Sequence, residues 1–136
     1  MTQYQRGQRV QYKVRDELRQ EGYHTMTAGR SLGPFDIIAW RSDSVRFIQV
    51  KSCQREKFYF EKGELEELVK EPIPKSCRKE VWIWFWNRET NDYWWRKWEC
   101  VVYGETKNWL LTMGRESLEK KPSSFHLGYP LYPKPF

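Results

Sequence analysis

The chain has 136 residues and a formal net charge of +6, with 24 Lys and Arg residues against 18 Asp and Glu. This length fits one domain with a hydrophobic core of its own. No segment is long and apolar enough to cross a bilayer, and the N-terminus lacks the apolar stretch of a signal peptide. The three cysteines show no C-x-x-C spacing, which argues against a disulfide framework and a structural zinc site. We therefore expect a soluble, cytoplasmic protein.

The positive charge is concentrated in the first part of the chain. Residues 1–57 carry eleven Lys and Arg against six Asp and Glu, whereas residues 58–136 carry thirteen against twelve. An excess of this kind is typical of a surface that binds phosphate groups. It is also common on ordinary solvated faces, so charge alone leaves both interpretations open.

The first predicted elements are a helix and three strands. Val10, Val14 and Leu18 recur every four residues and predict the buried stripe of a helix over residues 7–21, which Gly22 ends. A strand over residues 23–27 and a loop over residues 28–34 follow. The apolar runs at residues 35–40 and 45–51, separated by a short polar turn, predict a β-hairpin.

The second half of the chain begins with a predicted helix over residues 62–70. The apolar run 81–86 shows no alternation, so it predicts a strand buried on both faces or one whose second face meets a partner. A strand over residues 93–103 and a weaker one around residues 109–111 come next. Residues 104–136 are expected to form an irregular, aromatic and Pro-rich extension that packs on the body or on a dimer partner. The order α-β-β-β-α-β-β predicts an α/β sandwich with a small mixed central sheet.

Polar side chains at the predicted hairpin suggest a catalytic site. Asp36 follows a Gly-Pro loop and opens one strand, and the next strand ends on Gln49-Val50-Lys51. Because side chains alternate along a strand, Gln49 and Lys51 share one face. A carboxylate, a second polar ligand and a lysine are what metal-assisted phosphodiester cleavage requires. Alone, Asp36 could be a turn residue and Lys51 a solvated edge charge, but their joint spacing favours a site.

Residues 6–57 resemble the PD-(D/E)xK nuclease superfamily, most closely its archaeal-type Holliday junction resolvase branch. The resemblance rests on five motifs in order: Arg6-Gly7, Gly22-Tyr23, Ser31-x-Gly33, Gly-Pro-Phe-Asp and Ile-Gln-Val-Lys. It implies a restriction-endonuclease-like fold and a metal-dependent DNA endonuclease acting on branched DNA. It also implies a two-fold homodimer, to whose interface the run 81–86 is expected to contribute.

The same resemblance implies roles for individual residues. Asp36 would bind Mg²⁺ or Mn²⁺ together with the Gln49 side-chain oxygen and the Val50 carbonyl, and Lys51 would be the motif lysine. The other implied site residues are Ser31 of the active-site loop and Gln11, at the position of a helix-borne glutamate. Gln11 and Gln49 depart from the family pattern because glutamine brings no negative charge to the cation. Two alternatives therefore stay open: a catalytically degenerate, structure-selective DNA-binding protein, and a restriction-like nuclease that cuts linear duplex.

DNA recognition is expected to proceed through shape and backbone, since nothing in the chain resembles a base-reading helix. The candidate phosphate contacts are Arg6, Arg9, Arg30, Arg46, Arg55 and Lys57. The aromatic and basic cluster at residues 94–98 has two interpretations. It could stack on bases, or it could be a half-buried strand whose basic side chains extend to solvent.

Overall fold

The computed structural model describes residues 2–27, 33–54, 59–61, 63–87, 89–90, 92–103, 108–112 and 132–133. Helices and strands account for most of them. In chain order the elements are α1 (Gln3–Gln20), β1 (His24–Thr27), β2 (Ile37–Arg41), β3 (Ser44–Cys53), β4 (Tyr59–Phe60), α2 (Glu64–Lys70), β5 (Arg78–Asn87), β6 (Asp92–Tyr103), β7 (Asn108–Thr112) and β8 (Tyr132–Pro133).

Helix α1 begins four residues earlier than predicted because a capping box stabilises its first turn. The Thr2 hydroxyl accepts a hydrogen bond from the Gln5 backbone N–H, and the Gln5 side chain accepts one from the Thr2 N–H. Each bond satisfies a backbone donor that a helix start would otherwise leave unpaired. The helix ends before Gly22, whose positive φ of 91° is a conformation that glycine adopts without strain.

The main sheet has six strands in the order β1-β2-β3-β5-β6-β7. Neighbouring strands are antiparallel except β3 and β5, which run parallel. Parallel neighbours require a crossover connection, and α2 lies within it. The strands β4 and β8, which were not predicted, pair with each other in a second, two-stranded sheet.

The sheet is covered on both faces, and each face has its own hydrophobic core. On one face, Val10, Val14 and Leu18 of α1 pack on Ile48 and its neighbours. On the other face, Leu68 of α2 packs against the opposite side of the same strands. The buried residues of this second core are Phe35, Phe60, Leu68, Val81, Ile83, Phe85, Trp94, Trp98 and Cys100. The structure is thus the predicted α/β sandwich with a mixed central sheet.

The apolar run 81–86 is the middle of β5, a central strand whose side chains alternate between the two cores. Of the two interpretations, burial on both faces within the chain is therefore correct, and a contribution of this run to a dimer interface is not supported. Stacking on bases by the 94–98 cluster is wrong for a similar reason. Trp94, Trp95 and Trp98 are at most 3% exposed and lie in the cores.

The described residues bear on two further expectations only in part. Most of the C-terminal extension 104–136 lies outside the described residues. Among the helices that are described, neither combines the length and the apolar character needed to span a membrane.

Candidate active site

The hairpin of β2 and β3 places Asp36 beside the end of β3. Ile37 pairs with Ile48, so Asp36, one residue before the ladder, lies across from Gln49. The Asp36 backbone N–H donates to the Ile48 carbonyl at 2.9 Å. One carboxylate oxygen, Oδ2, accepts a hydrogen bond from the Val50 N–H at 2.8 Å. These two bonds fix both the backbone and the side chain of Asp36.

Gln49 and Lys51 lie on the same face of β3, as their spacing predicts. Their parallel partners on β5, Val81 and Ile83, belong to the core on the α2 side. Gln49 is only 6% exposed, and its side-chain oxygen Oε1 is buried without a hydrogen-bond donor among the described residues. Leaving a buried hydrogen-bond acceptor unpaired costs free energy, so this oxygen is available to bind a cation or a hydrogen-bond donor.

A second carboxylate in the site comes from α2 and was missed in the sequence. Glu64, the first residue of α2, contacts the Lys51 ammonium through Oε2 at 2.5 Å, and both side chains are about one-quarter exposed. In the sequence Glu64 is one of three carboxylates on this short helix, with Glu66 and Glu67, and nothing in the local pattern separates it from them. The available signal was its position at the helix start, but only the crossover from β3 brings that start to Lys51.

The position of α2 is secured by a buried lysine. Lys79 of β5 is 5% exposed, and its ammonium donates to the carbonyls of Val69 and Glu71 at 3.0 and 2.7 Å. These carbonyls belong to the C-terminal end of α2, where a cation satisfies acceptors that the helix itself leaves free. Burial lowers the pKa of Lys79, although the neighbouring groups Cys100 and Glu71 oppose that change.

The electrostatics of the site favour the binding of a positive group at Asp36. Burial raises the pKa of the Asp36 carboxyl above its ordinary value, and the negative charge of Glu64 adds to this. The Val50 N–H and the Lys51 ammonium act in the opposite direction without cancelling it. A carboxylate in such surroundings gains more from a nearby cation than an exposed one does.

The residues fit a divalent cation, although the described part of the chain contains no cluster of three or more His, Cys, Asp and Glu. The donor set consists of oxygens, which Mg²⁺ and Mn²⁺ prefer. It combines the Asp36 carboxylate with the unpaired Gln49 oxygen. The Val50 N–H points towards Asp36, and the N–H and C=O of one strand residue point to the same side. The Val50 carbonyl therefore also faces the Asp36 side of β3.

The structure does not place Gln11 in this donor set. Gln11 is half-buried on α1, and its neighbour Val10 packs in the core on the sheet face opposite to Gln49 and Lys51. Within the described residues, no hydrogen bond joins Gln11 to Asp36 or Gln49. Its assignment stays a prediction from the resemblance. Ser31, Arg30, Arg55 and Lys57 lie outside the described residues.

Arg46, predicted as a phosphate contact, is a structural residue instead. It is 7% exposed and donates two hydrogen bonds of 2.6 Å to the Glu80 carboxylate. Its guanidinium also lies over the Tyr23 and Trp82 rings. A cation that is buried and paired in this way cannot reach DNA, so this prediction is wrong. Arg6 and Arg9, in contrast, are exposed on α1.

The fold and the site together define a class of protein. A mixed sheet between two helices, with an acid opening one strand and a lysine ending the next, is the arrangement of PD-(D/E)xK nucleases. A sequence model described as archaeal Holliday junction resolvase (Hjc) matches residues 2–84, more than half of the chain. The chain belongs to the archaeal Holliday junction resolvase family.

A solved structure agrees with this assignment at the level of the fold. The chain is similar to the solved structure of Hjc, a Holliday junction resolvase from the archaeal hyperthermophile Archaeoglobus fulgidus, with 19% sequence identity and a TM-score of 0.50. The similarity covers 66% of this chain and 70% of that one. None of the curated proteins matches significantly. Family membership makes the chain a resolvase-type nuclease of a family that uses divalent metal ions, and it does not favour the binding-only or linear-duplex alternatives.

Proposed function

We propose that this chain is an Mg²⁺- or Mn²⁺-dependent endonuclease that resolves Holliday junctions with a site containing few carboxylates. The observation that carries the proposal is the buried, unpaired Gln49 oxygen on the same face of β3 as Lys51, at the strand position across from Asp36. The Asp36 carboxylate, the Gln49 oxygen and the Val50 carbonyl would hold the cation. When bound, a divalent ion polarises the scissile phosphate and acidifies a water molecule.

The protein side chains have distinct parts in this reaction. Asp36 supplies the negative charge, and its hydrogen bond from Val50 keeps the carboxylate at the end of β3. Lys51 stabilises the charge that develops on the phosphate and orients the attacking water. Glu64 contacts the Lys51 ammonium directly and so determines where that ammonium lies. Glu64 is in this sense a positioning residue.

We further propose that the functional unit is a two-fold homodimer, which would present one site to each of two opposed strands. The family assignment supports this, because resolving a four-way junction takes one cut in each of two opposed strands. A two-fold dimer carries two equivalent sites for these two cuts. Sedimentation analysis of the protein alone and with a junction tests it. A monomer in both conditions would contradict the dimer without affecting the assignment of the site.

Cleavage of a labelled four-way junction, compared with a linear duplex of matching sequence, tests the function. Mg²⁺ and Mn²⁺ are supplied separately, with Asp36→Ala and Lys51→Ala as variants. We expect cuts near the branch point that both variants reduce by at least about 100-fold. Asp43→Ala is the matched control, since Asp43 is an exposed carboxylate paired with Arg41 at the far end of the hairpin.

Two results would overturn the proposal. Salt-sensitive junction binding without cutting in either metal would leave a binding protein on a nuclease fold. Equal cutting of junction and duplex would leave a nuclease without the proposed preference for branched DNA.

A further inference from the structure

A groove of about 580 Å³ lies between the N-terminal half of α1 and the ends of three strands. Its lining comes from the C-terminal ends of β3 and β5, the start of β6, and one side of α1. The groove is of the size that binds small ligands. The residues used below are Arg6, Arg9, Lys13, Trp84 and Tyr93.

The groove has an uncompensated positive wall. Arg6, Arg9 and Lys13 are spaced by three and four residues on α1 and therefore lie along one side of the helix. All three are exposed, and no carboxylate is present among the described residues that line the groove. A wall of this kind attracts phosphate groups.

The opposite wall is aromatic. The Trp84 and Tyr93 ring centroids lie 5.3 Å apart, and Trp84 and Trp95 pack edge-to-face with centroids 4.8 Å apart. The Lys13 ammonium lies 4.9 Å from the centroid of the Trp84 ring. Tyr93 is nevertheless 37% exposed, although most aromatic side chains of β5 and β6 are buried. Tyr93 therefore combines a ring contact with Trp84 with an exposed side chain.

We infer that this groove binds an unpaired nucleotide of the DNA substrate, with the base stacked on Tyr93 and the adjoining phosphates on Arg9 and Lys13. Cations and open aromatic faces in one groove are the combination that recognises single-stranded DNA. This inference rests on the proposed function for its ligand. It deepens that function, because a junction that opens at its branch point exposes unpaired nucleotides.

The groove is close to the candidate active site along the chain. Ser52, which lines the groove, directly follows Lys51 near the C-terminal end of β3, but their side chains lie on opposite faces of the sheet. A nucleotide held in the groove would therefore lead the strand that continues from it around this end of β3 towards Lys51. This gives the enzyme a means of selecting branched DNA without reading its sequence.

A binding experiment with single strands tests the stacking directly. The probes are a short labelled thymidine oligonucleotide and one of the same length with abasic sites at its centre, measured by fluorescence anisotropy without divalent metal. We expect the abasic probe to bind the unmodified protein about 5- to 100-fold more weakly. Tyr93→Leu should weaken thymidine binding similarly and abolish the difference between probes, whereas Tyr93→Phe should retain it.

Tyr12→Leu is the matched control, because Tyr12 is an exposed aromatic residue of α1 outside the groove. Equal binding of both probes by the unmodified protein would overturn the inference, and so would an equal loss in Tyr12→Leu. The first of these needs no variant and so does not depend on the folding of one. Junction cleavage is measured separately. If the protein cuts junctions specifically but binds both probes equally, the proposed function stands and only the inference about the groove fails.

Discussion

At the scale of single residues, the site depends on a carboxylate whose position is set by the backbone of the neighbouring strand. Asp36 is bound at its amide and its carboxylate by β3, and the side-chain oxygen of Gln49, the residue across from it, has no described donor. Two oxygens of this kind give a cation fewer negative charges than the usual acidic set would. Glu64 brings a further carboxylate to the site through its contact with Lys51. No described contact joins Glu64 to Asp36.

Restoring a charge at Gln49 tests which side chains border the cation. Gln49→Glu should tighten Mn²⁺ binding by about tenfold, because a carboxylate replaces a neutral oxygen in the donor set. Calorimetric titration measures this. Gln11→Glu is the comparison, and we expect a smaller effect because α1 packs on the opposite sheet face. If Gln11→Glu tightens Mn²⁺ binding and Gln49→Glu does not, then Gln11 rather than Gln49 borders the cation.

Removing the charge of Glu64 tests its positioning role. Glu64→Gln should lower kcat by about tenfold or more with little change in KM, because the Lys51 ammonium loses the partner that holds it. Mn²⁺ affinity should change less than kcat does, because Glu64 acts on Asp36 only through its charge and has no described contact with it; this separates positioning from metal binding. Glu67→Gln, an exposed neighbour on the same helix, is the control. An unchanged kcat in Glu64→Gln would remove Glu64 from the site.

At the scale of elements, a buried ion pair connects the two parallel strands that support the site. Arg46 of β3 and Glu80 of β5 share two short hydrogen bonds, and Trp82 Nε1–H donates to Glu80 at 2.9 Å. Burial alone would raise the pKa of Glu80, but the Arg46 hydrogen bonds and charge outweigh it and the pKa is lowered. The charged form therefore stabilises the fold.

This pair predicts how stability depends on pH. Glu80→Gln should lower the free energy of unfolding at neutral pH by about 3–5 kcal/mol, since it leaves Arg46 buried without its partner. Because the folded pKa of Glu80 is lowered, its contribution is complete above the unfolded value of 4.5 and is lost as pH falls through the folded pKa. The difference between variant and unmodified protein should therefore shrink below pH 4.5.

Denaturant unfolding over a range of pH measures this difference. Glu99→Gln is the control, because Glu99 is one-third exposed and its contact with Arg78 is longer, at 3.4 Å. That variant should cost less than about 1 kcal/mol. A difference for Glu80→Gln that stays constant down to acidic pH would contradict the assigned pKa direction.

At the scale of the whole molecule, the basic charge of α1 should govern DNA affinity. Binding that depends on phosphate contacts weakens as salt rises, in proportion to the number of contacts. Arg9→Gln should reduce the slope of log affinity against log salt by about 0.9 for the junction. Arg41→Gln removes the same charge at the hairpin, where Asp43 already pairs it, and should leave the slope unchanged. Equal slopes in both variants would exclude Arg9 from the DNA-binding surface.

Local patterns in the sequence were sufficient for the elements and for the first part of the site. The alternation that places Gln49 and Lys51 on one face is a property of any strand, and the short hairpin turn brings Asp36 to them. The apolar stripe of α1 and the uniform apolar run of β5 likewise follow from local periodicity. These features depend on neighbours in the chain, so the sequence alone determined them.

Only the tertiary structure decided the roles of Glu64, Arg46 and Tyr93. The crossover of the parallel pair carries Glu64 back to Lys51, and strand register sets Arg46 against Glu80, 34 residues away. Tyr93 lies at the start of β6 and lines the groove beside α1, where it is 37% exposed while Trp94 and Trp95 next to it are buried. Each role depends on which distant surfaces meet, and a charged or aromatic side chain has the same local pattern whether it ends buried, paired or exposed.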